Sequence, residues 1–110
     1  MIRIKISVDF SDIPGGRTRD EGEYSGEEFR DTILIKKYEE AEANNEMLEI
    51  DFDGCYGFGT SFLEEAFGGL VRIYHKQGVK DRIRIISTED ETIPGNIDKY
   101  IADAEEENKK

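Results

Sequence analysis

The chain has 110 residues, enough to enclose one hydrophobic core and too few for a second. Its 26 acidic and 15 basic residues leave a formal charge of −11, a field that repels phosphate backbones and anionic lipid, so neither nucleic acid nor a membrane is an expected partner. A single cysteine excludes an internal disulfide framework, and with no signal-like leader or membrane-length apolar run the expected setting is the cytoplasm.

Ile2, Ile4, Ile6 and Val8 alternate with Arg3, Lys5 and Ser7, which predicts a half-buried strand over residues 2–8. The stretch from Asp9 to Gly22 contains Pro14-Gly15-Gly16 and reads as a loop or as a short strand around Arg17-Thr18-Arg19. Ser25 with Glu28 three residues on forms a capping box, opening a helix to about Tyr38 with Phe29, Ile33 and Leu34 inward. Acidic Glu27 and Glu28 at its start and basic Lys36 and Lys37 near its end suit the helix dipole. The polar residues 39–46 then read as a connection.

The stretch from Leu48 to Tyr74 organises the chain. Met47, Leu48, Ile50 and Phe52 predict a buried strand, Gly54, Gly57 and Gly59 a turn, and Phe62, Leu63, Ala66, Phe67, Leu70, Val71 and Tyr74 the inner face of a helix. Ser61 and Glu64 make a second capping box, with Thr60 as the alternative cap, and Glu64 and Glu65 read as a solvated face. Gly78 is the expected helix stop. Ile83, Ile85 and Ile86 predict another strand and residues 88–92 an acidic loop. Pro94 then starts a helix carrying Ile97, Tyr100, Ile101 and Ala104, before a terminal EEENKK expected to fray. Strand, helix, strand, helix, strand, helix implies an α/β fold: a small mixed, partly parallel sheet with helices packed on it, in one domain over residues 1–104 with a polar tail over 105–110.

Few residues offer chemistry. Cys55 and His75 stand alone of their types and are separated by a long helix, so neither a Cys-His nucleophile pair nor a zinc site is expected. One cysteine and one histidine are too few soft ligands for a structural metal site, and no metal or cofactor is implied. The turn Gly57-Phe58-Gly59-Thr60-Ser61 lacks the Gly-Lys-Ser/Thr ending of a phosphate-binding P-loop, and an ordinary tight turn is the expected reading, with weak anion binding at the helix start as the alternative. Gly68 and Gly69 inside a helix cost about 1 kcal/mol each relative to alanine, which points to close packing against a neighbour or a docked partner. No convergent acid, base and nucleophile set is visible, so an enzyme is not expected.

These residues carry a resemblance. Gly16-Arg17, Ser25-Gly26-Glu27-Glu28-Phe29-Arg30, Ile50-Asp51-Phe52 and Ser61-Phe62-Leu63-Glu64-Glu65-Ala66-Phe67-Gly68-Gly69-Leu70 resemble the STAS-like family of unknown function, related to the STAS domains of anti-sigma factor antagonists. In STAS domains an apolar strand leads through a turn to Asp-Ser-Ser/Thr-Gly-Leu at a helix start. Ser61 lies over the phosphorylated position, whereas Gly59 replaces the aspartate before it and Phe62 the glycine after it. The resemblance implies a non-enzymatic regulatory domain that binds a protein partner, a GHKL-type ATP-binding serine kinase being the class it suggests. Ser61 or Thr60 would be the phospho-acceptor, and Gly57, Phe58, Gly59, Thr60, Ser61, Glu64, Glu65 and Gly68 the docking surface. The alternative is a nucleotide- or anion-binding module using the same turn.

Overall fold

Ile2, Ile4, Leu48, Ile50, Ile83 and Ile85 form the inner face of a three-stranded sheet in the computed structural model, which describes residues 1–109. The strands are β1 (Ile2–Lys5), β2 (Leu48–Asp51) and β3 (Ile83–Ile86), in the order β1-β2-β3 and parallel in both pairs. Each crossover contains a helix, as parallel neighbours require. On the opposite face Arg3, Glu49 and Arg84 are in register, and the Arg3 Nε lies 2.7 Å from the Glu49 carboxylate. The α/β class and the helices packed on the sheet agree with the sequence.

The first strand is shorter than its alternation suggests. The amide of Lys5 donates to Asp9 Oδ2 (2.8 Å), and the amides of Phe10 and Ser11 return to the carbonyl of Ile6 (3.0 and 2.8 Å), curling residues 6–9 into the helical turn α1 (Ile6–Asp9). Ile6 stays in the core and Val8 is turned out to 73% exposure. The segment up to Gly22 contains only a 3₁₀ turn (Arg19–Glu21), so the alternative of a strand there falls away.

Two long helices follow. Residues 26–43, the leading helix, run as α2 (Gly26–Phe29), a π-helical turn (Arg30–Leu34) and α3 (Ile35–Ala43). The helix continues past Tyr38, through residues read as a connection, because Tyr38 and Ala41 are fully buried and Glu39, Glu40 and Glu42 are good helix formers. Arg82 donates to the carbonyls of Ala41 (3.3 Å) and Glu46 (2.9 Å) at its end. Residues 60–74, the central helix, comprise α4 (Thr60–Leu63), a second π-helical turn (Glu64–Gly68) and α5 (Gly69–Tyr74). It packs between the leading helix and α7 (Ile93–Asn108), which accounts for an unbroken buried run from Ala66 to Val71.

The central helix stops before Gly78. His75 takes a left-handed conformation (φ 53°), and Lys76 reaches the carboxylates of Glu39 (3.2 Å) and Glu42 (2.9 Å) on the leading helix. Gly78 (φ 67°) instead precedes the short α6 (Val79–Arg82). Of the expected tail, residues 105–108 are the last helical residues of α7, where Asn108 Nδ2 donates to the Val71 carbonyl (3.0 Å), and Lys110 lies outside the described residues. Among the described residues no helix is long and apolar enough to cross a membrane.

Candidate functional site

The turn after β2 is built by carboxylates. Asp51 Oδ1 accepts from the Asp53 amide (2.9 Å), while the Asp53 carboxylate accepts from the amides of Thr88 (2.9 Å) and Glu89 (3.0 Å) and from the Thr88 hydroxyl (2.6 Å). The Thr88 hydroxyl, then the Glu89 amide, hold Asp53 below the usual carboxylate range. Glu89 in turn accepts from the Gly54 amide (2.6 Å), so the ends of β2 and β3 are tied together. Gly54, at φ 92°, adopts a conformation open to glycine.

Beyond it the chain divides by direction. Phe58 turns inward, its ring 5.0 Å from Phe52 and 5.5 Å from Phe62, and anchors the turn to the core. Gly57, Gly59, Thr60 and Ser61 are exposed. The N-cap is Gly59, and no side chain caps the helix. Thr60 and Ser61 occupy the first helical turn, so the capping box expected at Ser61 does not form. The first box does form, one residue askew: Ser25 Oγ accepts from the Glu28 amide (3.1 Å), while Glu28 reaches past it to the Tyr24 amide (3.2 Å).

With Gly59 as the cap, Ser61 lies inside the first turn and cannot cap it, and the Glu64 side chain is engaged elsewhere. Its two oxygens are taken by Arg17 Nη1 and Arg72 Nη1, each at 2.5 Å, charge-assisted bonds that outweigh one to a backbone amide. Burial raises the Glu64 carboxyl, yet bonds from Arg72 and Arg17 prevail and hold it below its ordinary range. Glu65, also read as solvated, faces the leading helix and pairs with Arg30, which is only 4% exposed. Arg30 also donates to the Glu65 carbonyl (3.2 Å) and, through Nε, to Asp31 Oδ1 (2.8 Å), to which the Tyr74 hydroxyl donates at 2.9 Å. Burial works against the Arg30 charge and its bonds to Asp31 and Glu65 more than restore it. No buried side-chain nitrogen or oxygen lacks a partner among the described residues.

The glycine pair belongs to this lattice. A Cβ on Gly69 would stand 2.6 Å from Arg30 Nη1, and one on Gly68 would stand 2.8 Å from Arg72 Nη1. Both glycines are buried, which is the close packing anticipated for them. Nothing in the sequence assigns Arg17, Arg30, Asp31, Arg72 and Tyr74 to a polar lattice, although Arg17 and Arg30 lie in the resemblance motifs and Tyr74 on the inner helix face. The available signal was Arg30 next to the inward Phe29, on a stripe where a charge needs a partner.

The remaining candidates are inert or distant. Cys55 packs half-buried against the core with Sγ 3.5 Å from the Ser11 carbonyl, and burial, then the charge of Asp12, push its thiol up to about 11. His75 sits at the other end of the central helix, about 22 Å away at the usual helical rise. Depressions of about 320 Å³, lined by Glu42, Glu46 and Arg82 among others, and about 490 Å³, lined by His75, Lys76 and Glu105 among others, lie at that far end rather than at the Gly57 to Ser61 turn. No cluster of possible metal ligands occurs among the described residues.

The family model for the STAS-like domain of unknown function (DUF4325) matches residues 25–92, from the cap of the leading helix to the end of the loop after β3. The chain belongs to this STAS-like family. No curated protein and no solved structure matches it. The matched part of this STAS-like domain holds both long helices, their π turns, the Gly57 to Ser61 turn and the Arg30–Glu65 pair. β1, α1, Arg17 and α7 lie outside it.

Proposed function

We propose that this STAS-like domain is a non-enzymatic regulatory module that docks a protein partner on the Gly57 to Ser61 turn, with Ser61 as the residue whose modification changes the docking. The observation that carries the reading is the release of Thr60 and Ser61 from capping: both are exposed at a helix start whose cap is Gly59. A phosphate there would add about −1.5 to −2 charge beside the positive end of a helix dipole, a place where the fold itself tolerates it. The partner class implied by the family resemblance is a GHKL-type ATP-binding serine kinase, and a free cysteine accords with a cytosolic setting.

The test is intact-mass and phosphosite mapping of the protein isolated from its native cells, with binding to the co-purifying partner measured for wild type, Ser61→Ala and Ser61→Glu. Phosphate on Ser61 or Thr60, together with partner affinity that changes in Ser61→Glu, is the expected result. Unmodified protein and equal affinities for all three would sink the switch. A rise in melting temperature with ATP or inorganic phosphate, abolished by substitutions in the turn, would favour the anion-binding alternative instead.

A further inference from the structure

Four segments converge where the strands end. The Tyr56 amide donates to the Asp12 carbonyl (2.8 Å), Cys55 Sγ meets the Ser11 carbonyl, Lys5 Nζ meets the Asp53 carbonyl (3.3 Å), and Gly54 is bonded to Glu89. Exposed apolar side chains lie on these segments: Tyr56 at 87% exposure and Ile13 at 59% on the two joined loops, and Val8 at 73% on the α1 turn that follows Lys5. Tyr24, held by an edge contact between its ring and Phe10 at 5.4 Å, lies on the flank. Beneath them Phe10, Phe29, Phe52, Phe58 and Phe62 form a continuous aromatic layer. The loops therefore rest on a firm base.

Charge is segregated over the same loops. Residues 9–13, 51–57 and 87–91 contain seven acidic residues and no basic one. Lys5, paired with Asp51 at 3.2 Å, is the cation that reaches them. The carboxylates of Asp53, Glu89 and Asp90 are occupied by neutral amides and hydroxyls, bonds that leave their charge in place. Asp31, Glu39, Glu42, Glu49, Glu64 and Glu65, which tie the helices and the sheet together, each have a cation within 4 Å instead. Exposed apolar side chains ringed by uncompensated carboxylates complement a segment that offers apolar side chains flanked by lysine or arginine.

We propose that this end of the sheet, centred on Val8, Ile13 and Tyr56 and rimmed by Asp9, Asp12, Asp53 and Glu89, docks a basic amphipathic segment of a partner protein. The inference rests on the docking reading above and supplies the partner's chemistry. It also gives the switch a sign: negative charge added at Ser61, next to an acidic rim, tightens a basic partner.

The test uses the full chain and two synthetic helical peptides with one leucine pattern, the polar positions filled with lysine in one and glutamate in the other, titrated by fluorescence anisotropy. The lysine peptide is expected to bind and the glutamate peptide not. Tyr56→Ser should weaken the lysine peptide about tenfold, as for an exposed aromatic anchor. Asp12→Lys and a rise from ~50 to ~300 mM salt should each weaken it several-fold. Glu107→Lys, exposed on α7, should leave it unchanged and Ser61→Glu should strengthen it. Equal binding of both peptides, no binding, or equal loss in Glu107→Lys and Asp12→Lys would overturn the proposal. If it falls while the native partner's affinity still responds to Ser61→Glu, docking at the turn stands with a partner of other chemistry. If both responses are absent, both readings fall.

Discussion

Residues 57–61 and residues 64–69 are neighbours in the chain and opposite in character. In the second stretch every polar group is committed: Glu64 to Arg17 and Arg72, Glu65 to Arg30, and the two glycines to making room for those arginines. In the first, two hydroxyls sit at a helix start without capping it, and Gly57 and Gly59 have open space around them. One stretch holds the leading and central helices together, and the other leaves Gly57, Gly59, Thr60 and Ser61 exposed. Proximity in sequence, then, says little about role; what decides is which side chains the neighbouring elements consume.

The sharpest way to break the committed side is Glu65→Ala, which leaves Arg30 buried with Asp31 as its remaining anion. Removing one partner of a buried pair costs about 3–5 kcal/mol, so urea denaturation followed by circular dichroism should show a loss of that size. The double change Arg30→Met, Glu65→Leu should recover much of it, because an apolar pair leaves no unpaired charge. Equal stability of wild type and Glu65→Ala would show that the pair holds nothing.

Gly26 and Gly59 give the same contrast in backbone. A Cβ on Gly26 would lie 2.5 Å from the Phe62 carbonyl oxygen and 3.1 Å from its Cα, atoms of the central helix that cannot swing aside. Gly26→Ala should cost about 2–3 kcal/mol and lower the melting temperature by about 10 °C. Gly59, with φ −73° and no atom within 4 Å of where a methyl group would stand, should accept alanine within about 0.5 kcal/mol.

A smaller effect follows from pH. Burial raises Asp31 and Glu64, but bonds from Arg30 and Tyr74 to the first and from Arg72 and Arg17 to the second hold both below their ordinary values of 3.8 and 4.5. The stability they contribute is complete above those values and is lost as the pH falls through the lower folded ones. Acid denaturation of wild type should therefore be steeper than that of Glu64→Gln, which has one carboxyl fewer to protonate. The smallest expected effect is on the free side: Ser61→Ala and Tyr56→Ser should each change stability by no more than about 0.5 kcal/mol, so any change in partner binding would report docking alone.

Much of the fold was legible because its signals are local. Alternation in residues 2–5, the Ser25 cap and the 3.6-residue stripe of the central helix each lie within a few neighbours. The failures share one cause. Asp9 turns back to cap α1, an interaction that alternation through Val8 conceals. The same Ser-x-x-Glu pattern caps at Ser25 and not at Ser61, because the central helix already starts at Thr60 with Gly59 as its cap and Glu64 pairs with arginines brought in from residues 17 and 72.

By itself, then, the sequence determined the order of elements, the apolar faces and the net negative charge, since periodicity and composition need no knowledge of distant neighbours. Only the tertiary structure decided which acids are neutralised and which remain as a field. Arg17 and Glu64 stand 47 positions apart, as do Cys55 and Ser11 by 44, and parallel crossovers must form before such residues can meet.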